Sequence, residues 1–165
     1  MKRSLLFFVC ATALLAESAA GLKWTAPAGW KSTGTTSMRA ATYPVAPGAE
    51  CAVYFFGAGQ GGPVDANIDR WKSQFTTGGN PSAAKVAKTS IHGLTATTID
   101  VSGDYSGMGG PEGGAKAVPG YRLLGAIIEG PGGNIFIKFT GPAKIMAANQ
   151  ANFQQLLNSF EKTAK

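Results

Sequence analysis

Histidine and cysteine are nearly absent from this 165-residue sequence, which has one histidine, His92, and two cysteines, Cys10 and Cys51. That scarcity narrows the chemistry. A zinc site takes three or four ligands, and one His with one Cys falls short without carboxylate help. A Ser-His-Asp site would have to use His92, with Ser90, Ser102 or Ser106 as nucleophile, and no G-x-S-x-G elbow is present. A Cys51–His92 pair would need an activated thiol. Cys51 lies in the apolar run ECAVYFF, where a buried, inert thiol is the ordinary case. His92 precedes Gly93 and is expected in a surface turn. A small secreted hydrolase or thiol enzyme built on His92 is therefore an alternative, and no catalytic residue is assigned.

Acidic residues are also few, nine against fifteen Lys and Arg, for a formal charge of +6. Between Arg70 and Ile99 there is no acid, while Arg70, Lys72, Lys85 and Lys88 fall in that span. Such a stretch suits an anionic cell-surface polymer. The charges are spread over a helix and a strand without a dense basic run, so nucleic acid is not expected as a partner. Asp100, Asp104 and Glu112 are too irregularly spaced for an EF-hand loop, and no metal is expected.

Long apolar runs are missing as well. Leu5 to Ala16 is uncharged and twelve residues long, short of the roughly 20 that span a bilayer. Lys2 and Arg3 precede it and Ser18-Ala19-Ala20 follows, which is the layout of a secretory signal peptide. Residues 1–20 are expected to be removed before Gly21, leaving 21–165 as one exported domain, periplasmic or extracellular in a bacterium. Cys51 then stands alone, so an internal disulfide is excluded and a monomer stabilised by packing is expected.

What is present is a series of short apolar segments. Leu22–Thr25, Met38–Val45 and Glu50–Phe56 read as strands, with Pro44 suiting an edge. Val64, Ile68, Trp71 and Phe75 fall on one face of a helix over Pro63–Phe75, with Gly62 as cap and Pro63 in the first helical position. Thr76–Ser82 reads as loop. Lys85–Ile91 and Leu94–Val101 form a hairpin at His92-Gly93, and Tyr121–Glu129 and Asn134–Thr140 form another across Gly130–Gly133. Gly103–Gly120 is a long glycine-rich connection, a length that is usually functional or disordered. After Gly141-Pro142 a C-terminal helix carries Ile145, Met146, Phe153, Leu156, Leu157 and Phe160 on one face, interrupted by Asn149. The fold class is α+β, a mostly antiparallel sheet of about six to seven strands flanked by two main helices.

Gly57-Ala58-Gly59-Gln60-Gly61-Gly62 matches G-x-G-x-x-G between a strand and a helix. A dinucleotide site also needs a parallel βαβ unit and an acid about 20 residues on. No Asp or Glu lies between Asp69 and Asp100, and the next strands pair as hairpins. The glycines are expected to serve a close strand-to-helix turn, and no cofactor is implied.

Pro27-Ala28-Gly29-Trp30, then Gly61-Gly62 with Asn67, Arg70-Trp71 and Gln74-Phe75, then Phe139-Thr140-Gly141-Pro142 and a final Leu156 to Phe160 occur in that order. Together they resemble exported bacterial proteins of the PsbP-like fold, over most of the mature chain. The resemblance implies an antiparallel sheet between helices, and accessory or assembly factors that bind proteins rather than enzymes with a shared catalytic set. Photosynthetic members support the oxygen-evolving complex. No matching metal motif is present, so no metal ligand or photosystem role is carried over. The expected function is a non-catalytic accessory or binding domain that recognises a protein partner in the cell envelope through loops. The candidate partner-binding residues are Gly59, Gln60, Gly61, Asn67 and Arg70 beside the first glycine turn, and Tyr105, Met108 and Glu112 in the second.

Overall fold

The computed structural model describes residues 16–107 and 116–164. Eleven strands and three helices follow one another as β1 (Ala16–Ala19), β2 (Leu22–Thr25), β3 (Arg39–Ala46), β4 (Ala49–Tyr54), α1 (Val64–Ser73), β5 (Phe75–Thr77), β6 (Asn80–Pro81), β7 (Ala84–Ile91), β8 (Leu94–Tyr105), β9 (Val118–Gly130), β10 (Gly133–Pro142), α2 (Ala143–Ala148), α3 (Gln150–Asn158) and β11 (Glu161–Lys162).

Every strand pair among the described residues is antiparallel. The main sheet runs β3-β4-β10-β9-β8-β5-β6, and β7 also pairs with β8. The twelve-residue β8 divides one long edge: β7 takes Leu94 to Val101, and β5 takes Asp104 and Tyr105. A small sheet, β1-β2-β11, lies apart from it.

Side chains alternate across each strand, so the main sheet feeds two cores. On one side Leu124, Ala126, Ile128, Ile135, Ile137 and Phe139 meet Met146, Phe153, Leu156 and Leu157 of α2 and α3. On the other, Ile99, Leu123, Ile127 and Phe136 meet Ile68 and Trp71 of α1. Gly125 lets α1 approach, because a Cβ there would lie 2.7 Å from the Trp71 ring. This is the α+β sandwich expected from the pattern.

The differences from the sequence reading are local. The segment TTGGNPS is not plain loop: β5 and β6 form a tight hairpin through Gly78 and Gly79, both at positive φ. Pro63 precedes the first helical residue instead of occupying it. It is the N-cap of α1, with extended ψ of 147°. Pro142 does the same for α2. The C-terminal helix is broken at Asn149, whose Nδ2 donates to the Ile145 carbonyl at 3.0 Å. That bond supplies the backbone with an alternative partner at the break. Residues 16–20, which the sequence assigns to the leader, are in contact with the fold: β1 pairs with β2, and Trp24 Nε1 donates to Glu17 Oε2 at 3.1 Å and to the Tyr43 hydroxyl at 2.9 Å.

Candidate functional site: a cationic cleft beside the first helix

Helix α1 packs on its face of the sheet against β8 and β5. Towards β3, the side chains of β4 and β10 that point to this face line an open cleft. Its floor is Lys138. The alternation of NIFIKFT puts Lys138 on the same face as Phe136, between Ala52 on β4 and Gly125 on β9. These two neighbours are the smallest residues available, and they leave room for a long side chain.

Lys138 is 7% exposed. Its Nζ donates to Gln74 Oε1 at 2.7 Å and to the Tyr105 hydroxyl at 3.1 Å, and it stands 5.3 Å from the centre of the Tyr105 ring. Both acceptors are neutral. Burial, and then the nearby Arg70 guanidinium, bring its pKa down to about 8. An amine in this state can anchor an anion as an ammonium or, once deprotonated, act as a nucleophile.

Two cavities meet at Lys138 and Tyr54. The larger, about 280 Å³, is lined by Met38, Phe56, Asn67, Arg70, Trp71, Gln74 and Phe136. The smaller, about 240 Å³, extends past Glu50, Tyr105 and Tyr121. Tyr105 stacks on Phe75 and on Tyr121, with ring centres 4.9 and 5.7 Å away. Arg39 lies 5.2 Å over the Tyr54 ring and pairs with Glu50 at 2.7 Å. Burial pushes the Tyr54 and Tyr105 hydroxyls above their usual pKa.

Several residues singled out by sequence come together here. Asn67 Nδ2 donates to the carbonyls of Gly61 and Pro63 at 2.8 and 2.9 Å, and Arg70 donates to Asn67 Oδ1 at 2.5 Å. The glycine turn is thereby tied to the cleft wall. Gly61 has φ +90°, and a Cβ there would lie 2.7 Å from Phe136. Tyr105 closes the opposite side. Gly59 and Gln60 stand on the exposed turn, whose Gln60 amide donates to the Gly57 carbonyl at 3.1 Å. Met108 and Glu112 lie outside the described residues. Lys138 was missed by sequence, although a lone lysine between Ile137 and Phe139 was the available signal.

The glycine turn opens no parallel βαβ unit, because both neighbours of β4 are antiparallel to it. The catalytic alternatives are not brought together. His92 Nδ1 sits 3.0 Å from the Phe160 carbonyl, so Nδ1 carries the hydrogen. Cys51 is fully buried, its thiol held well above the usual pKa by burial. The pairing register aligns it with Phe139, Leu124 and Asp100, along the sheet from His92 beyond Leu94. Ser106 is spent on the Gln74 carbonyl. Asp100 is held by both Arg122 Nε and Nη2 at 2.8 Å. The basic span is divided: Lys85 pairs opposite Asp100 and Lys88 opposite Thr97, an odd spacing that sends the two lysines to opposite faces.

The backbone decides the architecture. Cyanobacterial PsbP (CyanoP) from Synechocystis sp. PCC 6803 superimposes with a TM-score of 0.57 at 11% identity, over 97% of this chain and 98% of that one. The fold is PsbP-like. A second structural neighbour, protein PA94 from Pseudomonas aeruginosa, is described as of unknown function. It matches with a TM-score of 0.50 at 11% identity, over 92% of this chain and 99% of that one. No family model and no curated protein matches the sequence. Among the described residues no helix is long and apolar enough to cross a membrane.

Proposed function

We propose that this PsbP-like chain is an exported, non-catalytic accessory domain that recognises a protein partner of the cell envelope. The contact is made by the Gly57–Gly62 turn and the start of the connection after Tyr105. One observation supports this reading above the others. Gly61, Asn67 and Arg70, which are close in sequence, and Tyr105, from the distant strand β8, flank two adjoining cavities that share Lys138 and Tyr54. Loops held on a rigid sheet are the usual place for recognition. Met38 adds an apolar contact at the rim, 56% exposed.

The test is a cross-linked pull-down from native envelope extract. One bait is the unaltered chain, one lacks 108–115, and one carries Met38→Asp with Arg70→Glu. A partner captured by the first bait and lost from both variants is expected. A partner retained equally by all three, or none captured, overturns the reading.

A further inference from the structure

We infer that the cleft floored by Lys138 is a binding site for a small apolar acid. Its carboxylate pairs with the Lys138 ammonium, and its body lies between Tyr54, Phe56, Phe136 and Trp71. This goes beyond recognition at the rim and needs no protein partner.

Charge sets the first requirement on the ligand. Lys138 and Arg70 face the same cavity, and no carboxylate among the described residues pairs with either. The acid of the adjoining cavity, Glu50, is taken by Arg39 at 2.7 Å. An ammonium has three donors. Gln74 and Tyr105 accept two of them as neutral groups, which hold the amine in place without neutralising it. Buried charges are normally paired, so the cavity is complementary to one incoming anion.

The walls define the rest of the ligand. Phe56 and Phe136 meet edge to face at 5.3 Å, and Tyr54 stacks on Phe56 at 5.8 Å. A volume of about 280 Å³ is just under the usual range for small-molecule sites, which limits the ligand to a small one. Together these fit a short aryl or alkyl carboxylate. An inorganic anion would leave the aromatic walls unused.

The experiment is a titration of the full folded chain with 4-phenylbutyrate and octanoate, followed by amide chemical shifts. The neutral amide of each acid serves as its matched control. Saturable shifts are expected at Lys138, Gln74 and the Gly61 turn, with each neutral amide at least about tenfold weaker. Lys138→Met should weaken the acids by about tenfold or more. Lys85→Met, on the opposite face, should leave binding unchanged. Arg70→Met should give a smaller loss and serves if Lys138→Met does not fold. Equal affinity for acid and amide, unchanged binding by Lys138→Met, or no saturable shift up to about 10 mM would overturn the inference. Because the titration uses no envelope protein, its failure is separable from failure of the pull-down.

Discussion

Replacing Lys138 by methionine should remove a defined part of the pH dependence of stability. The side chain is nearly as long, so little cavity is created. The folded chain gives up the Lys138 proton at about 8, whereas the ordinary value is 10.5. At about 1.4 kcal/mol per pKa unit, the charged form costs the native state about 3 kcal/mol. Below pH 8 both states hold the proton and the full cost is present. Between about 8 and 10.5 the unfolded chain binds more protons than the folded one, so wild-type stability rises with pH. Methionine removes that dependence. It also removes two hydrogen bonds, each worth about 1 kcal/mol, and leaves Gln74 Oε1 without its donor. At neutral pH these effects should nearly cancel, leaving the two proteins within about 1 kcal/mol of each other. The difference should then move by about 3 kcal/mol in favour of the wild type as pH rises through that window. Urea unfolding followed by tryptophan fluorescence measures both proteins, and subtracting one curve from the other cancels the remaining titrating groups. A difference that stays flat from neutral pH to pH 10.5 would refute the reasoning.

Gly61→Ala should destabilise the chain by about 1–3 kcal/mol, since it combines positive φ with a Cβ pressed on Phe136; chemical denaturation measures it. Asn67→Ala should cost about 1–2 kcal/mol by freeing the Gly61 and Pro63 carbonyls, and hydrogen exchange should show faster opening confined to the turn and the start of α1. Cys51 should react with a thiol reagent only at the rate of unfolding, because it is fully buried with its thiol disfavoured; rapid labelling of the native chain would revive the thiol-enzyme alternative. A chain starting at Gly21 lacks β1 and the Glu17–Trp24 bond, so it should unfold at lower urea than one starting at Ala16. Intact mass of the protein isolated from its own cells tells which form is made.

What was legible in the sequence was whatever local pattern decides. His92-Gly93 announced the β7–β8 hairpin, and both residues are at positive φ, 46° and 76°, as a two-residue turn demands. The spacing of Ile68 and Trp71 located α1. The β5–β6 hairpin was hidden because each strand is only two or three residues long, too short for alternation to register. The break at Asn149 had a visible signal, a polar residue on the apolar face, but propensity alone does not show that its amide caps Ile145. Of the cleft, only Asn67, Arg70 and Tyr105 were legible, and its floor was not. The floor depends on register, which places Ala52 and Gly125 beside Lys138 across two strands, and on α1 stopping short of β4.

The small sheet has a consequence for the order of assembly. Its β2 strand is held on one side by β11, with Lys23 opposite Glu161. The Ser159 hydroxyl bridges to Thr25 across 134 residues, and the Thr163 amide reaches the Gly21 carbonyl. During synthesis or translocation, the early tryptophan strand thus has to wait for nearly the whole chain before Phe160 can stack on Trp24 at 5.0 Å. Closing so large a loop is slow and entropically costly. A circular permutant that joins these neighbouring ends by a short linker, with new termini at the exposed His92-Gly93 turn, would convert that last, slowest contact into a local one.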